Sequence, residues 1–409
     1  MRVTTPATYR KFTSSVNDVH LRLNKSMTKI TSGAAYESAS ENPLAYYTGQ
    51  KIDSQYQDTL AKNTLLTDVK NRLYQQEIGA RDIQLTLSRA KVQVEYGKTA
   101  TTTGEHDIQT IKEDLMQKVR TIANDLNTQY QDFYVYGGND VSTTPFDLEI
   151  DLSHPDSDTD TEKNSMTLTY SHTFPGDTGV TKFQLKYTSD GKTPEDFAFQ
   201  LTATKPDGTA MTDTEAQGEL VRAMSEQGRI DLGYGDIRDY STLLDTYTGG
   251  LNVLTGLNSD AVRSLDKQGG TAASDRIMKE LNESPIALIG RAVLSIDDYQ
   301  KTVDDPASDK AAAKDLLDDR LGTTMDRMTV TEHTISTSYS DLGNKYKLLE
   351  ETATRLDSIE DSLTEQYKDT LGADPYQAIM EMFNNQYSYN AALQVGSKLM
   401  TSSLFDFVR

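Results

Sequence analysis

Hydrophobic positions recur with helical spacing near both ends of the chain. Between Val16 and Ile30 the apolar residues lie three or four positions apart, which predicts an amphipathic helix with a narrow apolar stripe. The same spacing resumes after Ser40 and continues for four heptads, a pattern typical of coiled coils. This second seam consists of Leu66, Val69, Leu73, Gln76, Ala80, Ile83, Leu87, Ala90 and Val94.

Turn signals delimit these helices. Ser32-Gly33 interrupts the first one, and we expect Ser40 to be the N-cap of the second, with Pro43 in its first turn. The Thr-rich segment 97–104 predicts a turn. A turn this short places the next helix, whose apolar stripe runs from Ile108 to Phe133, antiparallel to the second.

The middle of the chain changes from helical to alternating spacing. Tyr134-Val135-Tyr136-Gly137-Gly138 predicts a short strand and a turn that leaves the helical region. Four segments then alternate apolar and polar residues between Asp, Pro, Gly and Ser, which predicts half-buried antiparallel strands. They begin at Phe146, Met166, Phe183 and Phe197.

Helical spacing returns in the last third of the chain. Ser284-Pro285 predicts a capped helix start, the longest helix is expected after Pro306, and Gly372-Ala373-Asp374-Pro375 is expected to end it and cap the last helix. The seam of the long helix is Met328, Ile335, Tyr339, Leu342, Tyr346, Leu349, Ala353, Leu356, Leu363 and Tyr367, with Ile359 beside it. The last helix carries Ile379, Phe383, Tyr387, Leu393, Val395 and Leu399 near one face.

These patterns together predict an α+β fold. Neither helical end of the chain buries its seam alone, so we expect both ends to pack together as a long helical coiled-coil rod. A β-rich domain, residues 145–284, is inserted between helical segments 41–144 and 285–374. Residues 1–40 and 375–409 are the terminal helices.

Composition narrows the functional classes. The net charge is −21 and the middle segment alone contributes −13, which argues against binding to nucleic acid or to anionic membranes. No cysteine is present among the 409 residues, so disulfides, thiolate metal sites and a cysteine nucleophile are excluded. No apolar stretch is long enough for membrane insertion, and the first residues lack the apolar core of a signal peptide.

Candidate chemistry is sparse. The five histidines show no metal-ligand spacing, and Asp156-Ser157-Asp158-Thr159-Asp160 opens like a calcium loop without the required glycine and closing glutamate. Gly233-Tyr234-Gly235 lacks the third glycine of a dinucleotide-binding motif. We therefore expect no enzyme activity, no catalytic or metal-binding residues and no cofactor.

Three local motifs resemble one known family. Ser32-Gly33 with Ser40-Glu41-Asn42-Pro43, the segment from Tyr134 to Gly138 with Pro145-Phe146, and the ending Ser403-Leu404-Phe405-Asp406-Phe407 occur in the order found in the flagellin superfamily of axial proteins. Within it they resemble the hook–filament junction proteins, the hook-associated protein 3 family. The resemblance covers both helical ends, about 270 residues, and the start Met1-Arg2-Val3 is similar as well.

The resemblance implies a fold, a location and a set of partners. Residues 1–40 and 375–409 would form the inner layer of a tube, the helical rod the next layer, and 145–284 the outer domain. The protein would be exported through the flagellar type III channel, with a chaperone on its C-terminal region, and would lie extracellularly at the hook–filament junction. It would contact hook-associated protein 1, flagellin and copies of itself in a ring.

We predict that the inner assembly interface consists of apolar residues from the two terminal helices. Two other functions stay open on the sequence alone. One is the flagellin filament subunit, and the other is a secreted adhesin-like module carried by residues 145–284. The predicted interface residues are Val19, Leu23, Met27, Ile30, Val395, Leu399, Leu404 and Phe405.

Overall fold

The computed structural model describes most of the chain. Its backbone is described for residues 5–100, 105–153, 163–189, 197–226, 229–231, 243–245, 249–304 and 309–405. Side chains are described at these positions except at 5, 6, 100, 105, 106, 189, 229–231, 243–245 and 397–405.

Long helices occupy both ends of the described chain, with shorter helices between them. They are α1 Thr5–Ser32, α2 Pro43–Ala100, α3 Glu105–Asp125, α4 Asp213–Ser225, α5 Gly250–Thr255, α6 Ser259–Asp266, α7 Ala272–Asn282, α8 Pro285–Asp304, α9 Lys310–Leu371 and α10 Pro375–Phe405.

The strands lie between α3 and α5 in the sequence. They are β1 Gln129–Tyr130, β2 Phe133–Tyr134, β3 Phe146–Asp151, β4 Ser165–His172, β5 Thr181–Ser189, β6 Phe197–Thr204, β7 Arg229–Asp231 and β8 Leu243–Asp245. Strands β3 to β6 form one antiparallel sheet in sequence order, while β1 pairs with β2 and β7 with β8. The four alternating segments thus form the predicted antiparallel strands, and the predicted α+β fold is confirmed.

The chain forms two compact units. The terminal unit contains residues 1–64 and 353–409, which include α1, α10 and the adjoining ends of α2 and α9. The central unit contains residues 65–352, which include the sheet and the shorter helices.

The predicted coiled-coil seam of α2 forms a core of the central unit. Every predicted seam residue from Leu66 to Val94 is buried, including Gln76. The stripe of α3 is also buried from Ile108 to Leu126, and α3 packs against α8. Phe133 does not belong to that stripe, because it lies in β2 and is 39% exposed.

The sheet buries one face against helices of the central unit. Phe183, Leu185 and Tyr187 of β5 point inward, while the residues between them are exposed. Gly290 lets β4 pack close to α8, since a Cβ on this glycine would lie 2.4 Å from Met166 Cε of β4. The period-two pattern therefore marks the buried face correctly.

The described part of residues 145–284 contains four helices, α4 to α7, where the sequence pattern predicts strands and turns. Helix α4 begins with a capping box, in which the Thr212 hydroxyl accepts a hydrogen bond from Glu215 N and the Glu215 carboxylate accepts one from Thr212 N. Asn258 caps α6 by accepting a hydrogen bond from Ala261 N. These cap residues are visible in the sequence, but the helices are short and their apolar spacing covers few turns.

Helix α2 differs from its prediction at both ends. Asn42, not Ser40, caps it, because Asn42 Oδ1 accepts a hydrogen bond from Ala45 N at 3.2 Å and the helix starts at Pro43. The helix also continues through Gly97 to Ala100. Gly97 is not a turn residue here; a Cβ on it would lie 3.3 Å from Leu321 Cδ1, so the glycine permits close packing.

Helices α8 and α10 begin, and α9 begins and ends, where the sequence predicts. Ser284 Oγ accepts a hydrogen bond from Ala287 N ahead of α8, and Asp374 Oδ1 accepts one from Tyr376 N at the start of α10. The α9 seam is buried at Met328, Ile335, Leu342, Leu349, Leu356 and Leu363. Tyr367 at the end of that predicted seam is 43% exposed.

Candidate assembly interface

The two chain ends meet in the terminal unit as an antiparallel pair, α1 against α10. The Phe12 ring lies against Gly396, where a Cβ would come within 2.3 Å of Phe12 Cζ. The rings of His20 and Tyr389 are 5.5 Å apart. Residue numbers rise along α1 while they fall along α10, as an antiparallel pair requires. The two ends of the sequence thus pack together, as predicted.

The contacts between α1 and α10 become polar toward the end of α1. Asn385 Nδ2 donates hydrogen bonds to Ser26 Oγ at 2.9 Å and to Arg22 O at 3.4 Å. Lys29 Nζ lies 3.4 Å from Glu381 Oε2. The Lys29–Glu381 pair is partly exposed, and ion pairs of this kind contribute little to stability.

The predicted interface residues differ in exposure. Val19 and Leu23 are half-buried, whereas Met27 is 51% exposed and Ile30 and Val395 are also exposed. An apolar side chain reserved for another subunit is expected to be exposed in a single chain. Leu399, Leu404 and Phe405 lie in the C-terminal end of α10, but their side chains fall outside the described residues. The membership of all eight residues in an interface stays a prediction.

Helix α10 carries a second apolar stripe, on positions that it does not use against α1. Tyr376, Met380, Phe383 and Tyr387 follow one another at spacings of four, three and four residues, and they are 80%, 53%, 57% and 78% exposed. Phe383 and Tyr387 belong to the apolar face predicted from the sequence, whereas Tyr376 and Met380 do not. A helix with two apolar faces is typically covered by other protein on both of them. We call these four residues the outer stripe of α10.

A short backbone clasp joins the two connections of the terminal unit, the α1–α2 loop and the α9–α10 loop. Ala35 N donates a hydrogen bond to Leu371 O at 2.7 Å, and Ala373 N donates one to Gly33 O at 2.8 Å. Gly33 has a φ of +69°, a conformation that favours glycine. The Ser-Gly motif that supported the family resemblance therefore has a structural role, since it ends α1 and forms half of this clasp.

The second part of that motif holds α1 to the start of α2. Lys25 Nζ lies 2.7 Å from Glu41 Oε1, and Glu41 Oε2 accepts a hydrogen bond from Glu37 N. The Lys25 hydrogen bond is the main reason why the pKa of Glu41 lies below its ordinary value. Glu41 thus fixes the loop that separates the two helices.

The aromatic–glycine segment is anchored in the central unit by the polar residue of the α2 seam. Tyr136 Oη donates a hydrogen bond to Gln76 O at 2.6 Å, and Gln76 Nε2 donates one to Val135 O. Full burial raises the pKa of Tyr136 far above its ordinary value. Gly79 leaves room for the tyrosine, because a Cβ there would lie 2.4 Å from Tyr136 Oη. Gln76 therefore sits in the apolar seam to position this segment.

Charge is unevenly distributed in the terminal unit. The end of α9, residues 353–371, holds five acidic and two basic residues. Helix α1 instead has five basic residues and one acid, Asp18. The basic residues are Arg10, Lys11, Arg22, Lys25 and Lys29. The unit thus carries segments of opposite net charge, which are electrostatically complementary.

Other candidate sites find little support among the described residues. These contain no group of three or more His, Asp or Glu side chains placed to hold a metal ion. Residues 156–160 and 233–235 lie outside the described part of the chain. Among the described helices, none has a stretch that is long, apolar and uncharged enough for a bilayer.

No protein-family profile matches this sequence, and no curated protein sequence is significantly similar to it. Several solved structures align with most of the chain. One, from Vibrio parahaemolyticus, is described as a flagellar hook-associated protein; the alignment covers 81% of this chain and 100% of that one, with 10% identity and a TM-score of 0.45. FlgL from Bacillus cereus aligns over 80% of this chain and 100% of its own, with 13% identity and a TM-score of 0.33. Flagellar hook-associated protein 3 from Legionella pneumophila aligns over 78% and 98%, with 10% identity and a TM-score of 0.36.

Proposed function

We propose that this chain is a structural axial protein of the bacterial flagellum that joins the hook, through hook-associated protein 1, to the flagellin filament. The observation that carries the proposal is the terminal unit. Both chain ends pair there, and α10 exposes its outer stripe of large apolar side chains. The Ser-Gly motif, which resembles the junction proteins, forms half of the clasp of the same unit, and Glu41 of the similar Glu-Asn-Pro motif fixes the loop between α1 and α2.

The proposed assembly is a ring of identical subunits between two different neighbours. Repeated head-to-tail contacts produce rings or helices, and the basic α1 and the acidic end of α9 supply complementary surfaces for them. Hook-associated protein 1 would contact one side of the ring and flagellin the other. Before assembly, a flagellar export chaperone would cover the C-terminal region, including the exposed side chains of α10, during passage through the type III channel.

The predicted interface residues supply a direct test. Met27→Ser and Val395→Ser each replace a half-exposed apolar side chain, so we expect the purified subunit to unfold as the parent does while swimming motility is lost. A matched control is Thr28→Ser, an exposed position on the same helix. Normal motility of both apolar variants would contradict the predicted interface.

Deletion of the gene tests the function as a whole. We expect hooks to form while flagellin leaks unpolymerised into the culture medium, because the filament would have nothing to start from. Reintroduction of the gene on a plasmid is the control and should restore filaments. Persisting motile filaments would contradict the proposal. Loss of flagellin itself, with normally ended hooks, would show that the chain is the filament subunit.

Polymerisation of the purified chain separates the junction protein from flagellin in a second way. Flagellin extends filament seeds into long filaments, whereas we expect this chain to bind seed ends without extending them. Electron microscopy of seeds with and without the protein gives the readout, with a purified flagellin as positive control. Long filaments made of this chain would favour the flagellin alternative.

A further inference from the structure

A buried carboxylate in the central unit contacts both a lysine amine and an asparagine amide. Asp297 on α8 has Oδ1 3.0 Å from Lys112 Nζ of α3, and its Oδ2 accepts a hydrogen bond from Asn164 Nδ2 at 2.5 Å. Asn164 immediately precedes β4. The Asp297 carboxylate of α8 thus contacts both α3 and the residue that leads into the sheet.

All three side chains are withdrawn from water. Lys112 and Asn164 are each 9% exposed and Asp297 is 5% exposed. An ion pair at this depth loses most of its solvation and adds little net stability, so stability alone gives a weak reason for the arrangement. Partial exclusion of water instead suits a reaction between the amine and the amide, because hydrolysis of the amide competes less where few water molecules reach it.

We propose that Lys112 and Asn164 react to form an intramolecular amide bond, with Asp297 as the proton-transfer group. A lysine amine is a nucleophile once it has lost its proton, and Asp297 Oδ1 is placed to accept that proton. Contact with the same carboxylate, one group on each oxygen, holds the amine and the amide near each other.

The reaction balances without any further reagent. Asp297 takes a proton from the Lys112 ammonium, and the freed electron pair of Nζ attacks Asn164 Cγ, so that the new C–N bond forms. Asp297 delivers the proton through Oδ2 to Nδ2, and the Cγ–Nδ2 bond breaks with its electron pair on nitrogen. The second proton lost by Nζ leaves with the ammonia as ammonium, and Asp297 returns to its starting carboxylate.

A second lysine, Lys301, also contacts Asp297 but is more exposed to solvent than Lys112. Lys301 Nζ lies 3.3 Å from Asp297 Oδ2, the oxygen that also accepts from Asn164, and the Lys301 side chain is 26% exposed against 11% for Lys112. A cleft of about 400 Å³, lined by both lysines together with Ile108 and Tyr299, adjoins the cluster and gives the ammonia a way out.

The bond would close a loop of 52 residues between α3 and β4. A covalent tie of this kind restricts the unfolded chain and keeps the sheet attached to α3 when force is applied. The inference does not depend on the proposed flagellar function, because it concerns the central unit alone.

Intact-mass measurement of the denatured, purified full chain tests the bond. The chain is expected to weigh about 17 Da less than its sequence requires, the mass of one ammonia. Lys112→Arg and Lys118→Arg have the same elemental composition, so their masses are equal unless the bond forms. We expect Lys118→Arg to be about 17 Da lighter than Lys112→Arg, since Lys118 pairs with Asp114 elsewhere on α3.

Digestion then locates the bond. A linked peptide containing Lys112 and Asn164, absent from Asp297→Asn, is the expected result. If the parent protein has the full mass calculated from its sequence, the proposal is wrong, whatever the variants show. A peptide linked through Lys301, or a loss of ammonia with no linked peptide, would overturn it as well.

Discussion

At the scale of single residues, the structure explains why a polar residue, Gln76, interrupts the apolar seam of α2. It stands in an otherwise apolar seam, and in the structure its side chain binds the backbone of Val135 while its own carbonyl binds Tyr136. A buried amide without such partners would destabilise the core. The seam and the aromatic–glycine segment are each visible in the sequence, but Gln76 and Val135 are 59 residues apart in the chain and only the fold brings them into contact.

Gly79→Ala tests the fit of Tyr136 against α2. Alanine favours a helix by up to about 1 kcal/mol over glycine, but here its Cβ would lie 2.4 Å from Tyr136 Oη, in a fully buried ring held by a hydrogen bond. We expect the free energy of unfolding to fall by about 1–3 kcal/mol. Urea denaturation followed by circular dichroism measures this change.

Gly218→Ala is the matched control, because Gly218 lies in α4 with nothing within 4 Å of the added Cβ. We expect it to raise the free energy of unfolding by about 0.5–1 kcal/mol. Equal effects of the two substitutions would contradict the argument from close packing.

Asp125 makes stability depend on pH. Burial, and secondarily the charge of Asp82, raises the pKa of Asp125 to about 6 in the folded chain. Its position at the C-terminal end of α3, where the helix dipole is negative, acts in the same direction. Because the folded state then binds the proton more tightly than the unfolded state, this carboxyl lowers the free energy of unfolding as pH rises from about 4 to 6.

Asp125→Asn is expected to remove that decrease. The shift in pKa corresponds to roughly 3 kcal/mol, which solvent contact of the half-exposed carboxyl reduces to about 1 kcal/mol. Urea titrations at pH 4 and pH 7 measure the difference for parent and variant. Asp82→Asn should reduce the decrease in the free energy of unfolding only partly, since burial is the larger cause. If Asp125→Asn leaves the pH dependence of stability unchanged, Asp125 is not its source.

At the scale of elements, helix ends follow the local sequence and helix faces do not. Ser284, Asn42 and Asp374 each cap the helix that a following proline opens. In α2 the cap is Asn42, two residues after the predicted Ser40 and within the same motif. The faces of α10 required the structure, because both of its sides are apolar and only the position of α1 shows which one is covered.

The outer stripe of α10 is expected to act in assembly and not in folding. Phe383→Ser with Tyr387→Ser removes two exposed rings, so the free energy of unfolding of the purified subunit should stay within about 0.5 kcal/mol of the parent. Swimming motility, and the amount of the chain in isolated flagella, should fall strongly. Denaturation, soft-agar swarming and immunoblotting of flagella measure the three quantities.

Asn384→Ser with Gln386→Ser is the control, since both side chains are polar, exposed and on the same helix. It should leave motility unchanged. A motile Phe383/Tyr387 variant with normal amounts in flagella would show that the outer stripe is not covered in the assembly.

At the scale of the whole molecule, the two units differ in how much apolar side chain they bury. The described buried apolar residues of the terminal unit are Ile52, Leu356, Leu363, Leu371 and Ala378. The central unit has a core that includes the α2 and α3 seams, the inner face of the sheet and most of α8. Since local opening is easiest where few apolar contacts are buried, the terminal unit should open first.

Hydrogen exchange of the purified subunit measures this difference. Amides of α1 and α10 are expected to exchange at least tenfold faster than those of α8 and of residues 66–94 in α2, because each factor of ten needs only about 1.4 kcal/mol of local stability. Equal protection of α1 and α8 would contradict it. In assembled flagella, the protection of α1 and α10 should rise.

The sequence by itself determined the elements that depend on neighbours a few residues away. The seam from Leu66 to Val94, the buried face of β5 and the start of α8 at Pro285 all follow from periodicity and caps, which are local properties of the chain. The tertiary structure alone decided the contacts between distant residues. It placed Tyr136 beside Gly79, left the outer stripe of α10 uncovered, and put Lys112 and Asn164 on one carboxylate, because no local spacing encodes which faces meet once the chain has folded back on itself.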